Sequence, residues 1–121
     1  MKIGVIIPTY KARQHIKDVI LSIGPEVSRI YIVDDFCPEN TGDFVKENCK
    51  DSRIILIRHI ENQGVGGAVM SGYKAALKDC IDILVKVDSD GQMNPKKILD
   101  LIQPILNGKA DYTKGNRFIF T

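Results

Sequence analysis

The chain has 121 residues, 44% hydrophobic and 26% charged, which suits one compact domain able to bury its own core. The formal net charge is only +2, and Lys96-Lys97 is the only adjacent basic pair. This charge is too small to suggest nucleic acid or an anionic membrane as the main partner. No run approaches the ~18 apolar residues of a membrane span. The three cysteines form no CxxC or zinc spacing, and the chain shows no signal peptide, so a reducing, cytosolic setting is expected.

Strand and helix signals alternate. Lys2–Pro8 is a β-branched run that reads as a buried strand. Ala12–Ile23 carries Ile16, Val19, Ile20 and Ile23 at helical spacing, and Gly24-Pro25 stops it. Arg29–Asp34 is the second strand. A polar loop, Asp35–Asn40, leads to Thr41, a candidate N-cap for a short helix through Asn48. Arg53–Arg58 is the third strand. The glycine-rich turn Asn62–Gly67 opens a helix from about Gly67 to Asp79, with Ala68, Tyr73, Ala76 and Leu77 available to pack. Ile81–Asp88 is the fourth strand. Asn94-Pro95 starts a further helix with the stripe Ile98, Leu101, Ile102 and Ile105, which Pro104 should kink and Gly108 can close. Ala110–Thr113 is a weaker fifth strand, and Gly115–Thr121 carries no capping signal.

Strands separated by helices imply parallel pairing and right-handed crossovers, hence an open α/β sheet with helices on both faces. Ligands bind such sheets outside the carboxyl ends of the strands. Polar residues do gather there: Thr9-Tyr10, Asp34-Asp35, Glu61-Asn62 and Asp88-Ser89-Asp90 each follow a strand.

Asp88-Ser89-Asp90 is the sharpest feature. Extended geometry would put both carboxylates on one side, where hard oxygen donors suit Mg²⁺ or Mn²⁺ with a substrate phosphate completing the shell. Gln92 can add its amide or a bridging water. A solvated turn before the next helix explains the same residues about equally well. Asp34-Asp35 can accept hydrogen bonds from a base or ribose, or close a turn on the backbone. Tyr10 can stack on a nucleobase or pack. Gly64-x-Gly66 fails the dinucleotide fingerprint, because Val69 stands at the third glycine and the motif follows the third strand. These glycines instead suit a tight turn and close approach to the sheet, with Asn62 pinning the turn. Arg117 can grip a phosphate with its planar fork or remain a surface cation. His15 and His59 read as isolated, with no partner that suggests a triad or a metal site.

VIIPTY at 5–10, IVDD at 32–35, NQGVGGA at 62–68, VDSDGQMNP at 87–95 and KGNRF at 114–118, in that order, resemble family 2 glycosyltransferases, and most of all the dolichyl- and polyprenyl-phosphate sugar synthases. The resemblance covers nearly the whole chain and implies the Rossmann-like GT-A fold, a three-layer α/β/α arrangement on a mainly parallel sheet. It implies that Pro8, Tyr10, Asp34 and Asp35 line a nucleoside pocket, with Ser89 and Arg117 also on the substrate side. Asp88 and Asp90, with Gln92 nearby, would hold a Mg²⁺ or Mn²⁺ ion on the diphosphate of a UDP- or GDP-linked sugar. The implied reaction inverts the sugar's anomeric centre. The implied acceptor is a polyprenyl phosphate or another membrane lipid phosphate at the inner, cytoplasmic face. No catalytic base is assigned. Two departures stand out: Lys11-Ala12 replaces the family's Asn-Glu, and Phe36-Cys37 replaces its Gly-Ser. Family catalytic domains continue past the Arg117 motif, so residues 1–121 are expected to be one nucleotide-sugar-binding domain truncated at its C-terminal end, and donor binding without turnover is an alternative. A phosphoacceptor receiver domain fits less well, because its acidic pair follows the first strand. A haloacid-dehalogenase-like phosphatase lacks room for its downstream motifs, with 31 residues left after Asp90.

Overall fold

The structure, a computed structural model, describes residues 2–10, 14–36, 38, 40–87, 114–115 and 117–120, with the backbone alone for residue 65 and for the last two segments. In chain order these residues form β1 (Ile3–Thr9), α1 (Ile16–Leu21), β2 (Val27–Asp34), α2 (Thr41–Asn48), β3 (Ile54–Arg58), α3 (Gly64–Lys78), β4 (Ile83–Lys86), β5 (Lys114–Gly115) and β6 (Arg117–Phe120). The sheet order is β3-β2-β1-β4-β6-β5. The first four strands run parallel, and β6 closes antiparallel on β4. The sheet is therefore mainly parallel, as expected, with an added antiparallel strand pair, β5 and β6, that the sequence analysis did not assign. The expected helix after Asn94 and the expected strand Ala110–Thr113 lie outside the described residues.

Period two explains how one strand serves two cores. Ile3, Val5 and Ile7 of β1 join Ile30, Ile32, Ile83 and Val85 in a core covered by Ile16, Val19, Ile20, Ile23 and Val45. Ile6 faces the other way and joins Tyr31, Val33 and Leu84 under Ala68 and Ala76 of α3. The predicted stripe of α1 is wholly buried, although the helix itself is shorter than the run that suggested it. Each fully buried aliphatic side chain contributes roughly 1.5–3 kcal/mol. Helices thus cover both faces, α1 and α2 on one and α3 on the other.

Three expectations shift in detail. Thr41 is not the N-cap of α2 but its first helical residue, and Asn40 caps from a left-handed conformation with φ 53°. α3 starts at Gly64, three residues earlier than expected, and Leu77 points to solvent at 58% exposure. Gly64 does make the tight turn, at φ +79°, and Asn62 does pin it by accepting the Gly64 amide at 3.2 Å. The close approach to the sheet is made further along, however. A β-carbon at Gly72 would meet Ile6 Cγ2 at 2.9 Å, whereas at Gly64 and Gly66 it would meet nothing within 4 Å.

Two long side chains lock the ends of the layers. The Tyr31 hydroxyl donates to Asp79 Oδ2 at 2.7 Å, tying β2 to the end of α3. Arg53 donates to the carbonyls of Ile23, Gly24 and Val27 and pairs with Asp51 at 2.7 Å, which fixes the turn before β2 to the start of β3.

The helix assignments give a matched pair of variants. Gly72→Ala should destabilise by about 1–3 kcal/mol, because Ile6 is fully buried and cannot retreat. Gly66→Ala, in open space within the same helix, should stabilise by roughly 0.5–1 kcal/mol. Urea midpoints of the two variants check both signs.

Candidate functional site

The topology selects one end of the sheet. β1, β2 and β3 step outward with α1 and α2 on one face, and α3 then carries the chain across the opposite face to β4 on the far side of β1. The winding reverses between β1 and β4, and a crevice outside the carboxyl ends of these strands follows. β1 pairs with β4 only as far as Ile6–Lys86, and Pro8, which has no N–H to offer, lies just beyond. Val87 donates its amide to Ile6 O at 2.9 Å, so the chain is still against β1 one residue before Asp88.

Of the predicted site residues, Pro8, Tyr10, Asp34 and Asp35 come together at the ends of β1 and β2. Thr9 pairs with Asp34, and the Asp35 amide donates to Thr9 O at 3.1 Å. Tyr10 is 48% exposed. Asp88, Ser89, Asp90 and Gln92 lie outside the described residues. The backbone of Arg117 starts β6, whose register pairs Val85 with Ile119 and, continued by two residues, sets Arg117 opposite Val87.

The acidic pair does something that neither sequence reading contained. Consecutive residues at a strand end point to opposite faces, and each carboxylate meets the start of a different helix. Asp34 Oδ2 accepts the amide of Gly42, in the first turn of α2, at 2.9 Å. A β-carbon at Gly42 would come within 2.6 Å of that oxygen, so the glycine is what lets the carboxylate in. Asp35 accepts the amides of Gln63 and Gly64, one on each oxygen, both at 2.8 Å, where α3 begins. Orphan amides and the helix dipole both favour a carboxylate there. The backbone of Asp35 is held as well, since its carbonyl accepts Asn62 Nδ2 at 3.2 Å.

His59 is the residue that the sequence analysis missed. Far from isolated, its ring bridges Asp35 Oδ1 from Nδ1 and Ser71 Oγ from Nε2, each at 2.7 Å. Both the ring and the Asp35 carboxylate are nearly buried, at 6% and 5% side-chain exposure. A neutral imidazole satisfies both contacts, donating from Nδ1 and accepting the Ser71 hydroxyl at Nε2. The chain Asp35–His59–Ser71 therefore joins the end of β2 to the interior of α3. It has the partners of a nucleophilic triad, but its burial makes it a brace for Asp35. Burial alone pushes the Asp35 carboxyl up. The Gln63 amide, His59 and the Gly64 amide outweigh it and hold the carboxyl below its ordinary value of 3.8. No local pattern signals this brace, because its members are 24 and 12 residues apart.

Three large apolar side chains stand exposed on the loops at this end: Tyr10 after β1, Phe36 after β2 and Ile60 after β3, the last two at 61% and 92%. Phe36 takes φ +56°, the left-handed conformation that glycine adopts without cost. Among the described residues no group of three or more His, Cys, Asp or Glu is placed to hold a metal ion. No described helix is long and apolar enough to cross a membrane. A groove of about 530 Å³ lies elsewhere, between α2 and the edge strand β3, lined by Asp43, Cys49, Asp51 and Arg58 among others.

Comparison with known proteins gives the following. The family described as glycosyl transferase family 2 matches residues 4–121. The chain is 36% identical, over 129 aligned residues, to a UDP-N-acetylglucosamine--dolichyl-phosphate N-acetylglucosaminyltransferase of Methanococcus voltae, covering 95% of this chain and 51% of that protein. It is 32% identical to a dolichol-phosphate mannosyltransferase of Pyrococcus furiosus, covering 98% of this chain and 34% of that one. The chain thus spans about half of one of these relatives and a third of the other. Among solved structures, S. aureus TarS in complex with UDP-GlcNAc superposes with a TM-score of 0.69 at 24% identity, covering 93% of this chain and 33% of that one. The mannosyltransferase PcManGT of Pyrobaculum calidifontis, in complex with GDP-Man and Mn²⁺, gives 0.65 at 21% identity, covering 81% and 30%. At these identities the likeness establishes the fold.

The brace yields a pH prediction. A carboxyl held below its unfolded value stabilises the fold fully above that value, and the contribution is lost as pH falls through the lower folded value. Asp35→Asn should cost about 1–3 kcal/mol at pH 7, because an amide group turns a donor toward a backbone N–H. The variant should also lose part of the acid-limb slope below pH ~4. Urea titrations of both proteins between pH 2 and pH 7 measure the two effects. An unchanged slope would mean that Asp35 is not the group being titrated.

Proposed function

The chain belongs to glycosyl transferase family 2, and from that premise we propose that it is the donor-binding part of a glycosyltransferase that moves a sugar from a UDP- or GDP-linked donor to a polyprenyl phosphate. The observation that carries this reading is the convergence of strand ends at the reversal of the winding. Tyr10 leaves β1, Asp34-Asp35 end β2 and Val87, immediately before Asp88, leaves β4, all on one rim. Family membership sets aside the receiver and phosphatase alternatives.

On this reading the nucleoside lies over the ends of β1 and β2, against Pro8 and Tyr10 and the loop that Asp34 and Asp35 hold rigid. The diphosphate lies toward β4, where Asp88, Ser89 and the strand that Arg117 starts would meet it. Asp88, Asp90 and Gln92 offer hard oxygen donors and no sulfur or imidazole, a set that fits Mg²⁺ or Mn²⁺. When bound, such an ion neutralises charge on the departing nucleoside diphosphate. The guanidinium of Arg117 can share that charge as a fixed cation.

An acceptor phosphate oxygen is already ionised and needs no strong general base. It forms the new bond at the sugar C1 from the face opposite the leaving group. The bond from C1 to the diphosphate oxygen breaks, and the electron pair departs with the nucleoside diphosphate. The configuration at C1 inverts. The polyprenyl-phosphate acceptor follows the named activities of the Methanococcus voltae and Pyrococcus furiosus relatives. On this reading the reaction runs at the inner face of the membrane.

Calorimetric titration of UDP- and GDP-sugars tests the donor site. Binding of one of them in Mn²⁺ should weaken at least tenfold in chelator, in Asp88→Ala and in Asp90→Ala. Binding indifferent to chelator and to both substitutions removes the metal from the proposal, and absence of any nucleotide binding removes the donor site. Binding without sugar transfer to added polyprenyl phosphate assigns donor capture alone to these residues.

A further inference from the structure

Phe36 is the oddest residue on the rim. Its φ of +56° is a conformation that a β-carbon disfavours, and Asn40 is the only other non-glycine residue of the described α2 approach to share it. The cause is local. The Asp35 amide is bound to Thr9 O, its carbonyl to Asn62 and its carboxylate to the start of α3, so the chain cannot turn until the next residue. Glycine, or a small polar residue that tolerates the left-handed region, would serve that turn better than a bulky aromatic.

The ring is not compensated by burial. Phe36 is 61% exposed beside an aspartate that is 4% exposed, and it belongs to neither core. A strained backbone carrying an aromatic group in water makes no sense as packing, and strain of this kind concentrates at ligand sites. Tyr10 stands on the neighbouring strand end: Thr9 pairs with Asp34, so Tyr10 and Phe36 leave adjacent strands one and two residues later. Both side chains are exposed there, on the side of the sheet end where the nucleoside is proposed to bind.

We propose that Phe36 is a stacking residue that binds the planar base of the donor nucleotide and helps set which base is accepted. This rests on the donor-site reading. A flat apolar ring held on a rigid turn offers a face to a base at little entropic cost, since the backbone beneath it is already fixed by Asp35. Stacking tolerates any base, and selection between a pyrimidine and a purine then follows from the overlap area that the Phe36 ring and Tyr10 allow.

The chain contains no tryptophan, so Phe36→Trp introduces a single fluorescent reporter at the proposed contact. Its emission should be quenched on titration with UDP or GDP in Mn²⁺, with an affinity within a few-fold of the parent's. Phe36→Leu keeps apolar bulk without a flat face and should weaken binding about tenfold. Phe36→Gly should weaken it similarly while leaving the melting temperature unchanged or higher, because glycine relieves the left-handed strain. Emission unmoved at saturating nucleotide, or Leu and Gly variants that bind like the parent, overturns the inference and leaves the donor site intact. A parent chain that binds neither UDP nor GDP overturns both. Emission that shifts with phosphatidylglycerol vesicles but not with nucleotide makes the ring a membrane contact and overturns the proposal in favour of that role.

Discussion

The carboxylate of Asp35 sits at the end of a central strand and holds three groups at once: the amides of Gln63 and Gly64 and the ring of His59. Much of the rim depends on that arrangement. A nearly buried carboxylate is costly unless its lone pairs are filled, and here they are filled by donors that themselves need acceptors. The start of α3 gains an anion at its positive end. His59 gains a fixed orientation through Ser71. The loop after β2 gains a rigid first residue. Removing any one partner leaves the others with an unmet polar group, which is why the cluster acts as one unit.

The preceding residue repeats the device on the other face. Asp34 closes the start of α2 through Gly42, so one acidic dipeptide anchors helices on both sides of the sheet. This bears on how a ligand is held. A nucleoside site built on loops loses affinity when the loops must be ordered on binding. Here the ordering is already done within the fold, by hydrogen bonds that do not involve the ligand. On the proposed donor-site reading a base would be met just beyond the fixed points, where Tyr10 and Phe36 are exposed aromatics among the described residues.

The same logic explains where the strain sits. Backbone held on both sides of a residue concentrates the remaining turn at that residue. After β2 that residue is Phe36, and before α2 it is Asn40. Asparagine tolerates the left-handed region and is unremarkable there. Phenylalanine is not suited to it, and its exposed ring points to a use that outweighs the local cost.

Much of this protein was written in its local sequence. Alternation of apolar runs and the stripe Ile16, Val19, Ile20 and Ile23 were enough to give the parallel sheet and its two helical layers, because each depends only on periods of two or 3.6 residues. The motif order from VIIPTY to KGNRF was enough to give the family. Tertiary structure alone decided the partners. Asp34 and Asp35 looked like a turn or a ligand pair and became helix anchors. His59 looked isolated and became a bridge. Gly72, not the glycines of the 62–67 turn, proved to be the glycine that lets α3 approach the sheet closely. The antiparallel β6 had no readable period in its four residues. These contacts join positions from 8 to 66 residues apart, from Asp34–Gly42 to Ile6–Gly72. A hydrogen bond or close contact between such positions leaves no trace in local spacing, and exists only once the sheet has brought the ends of its strands together.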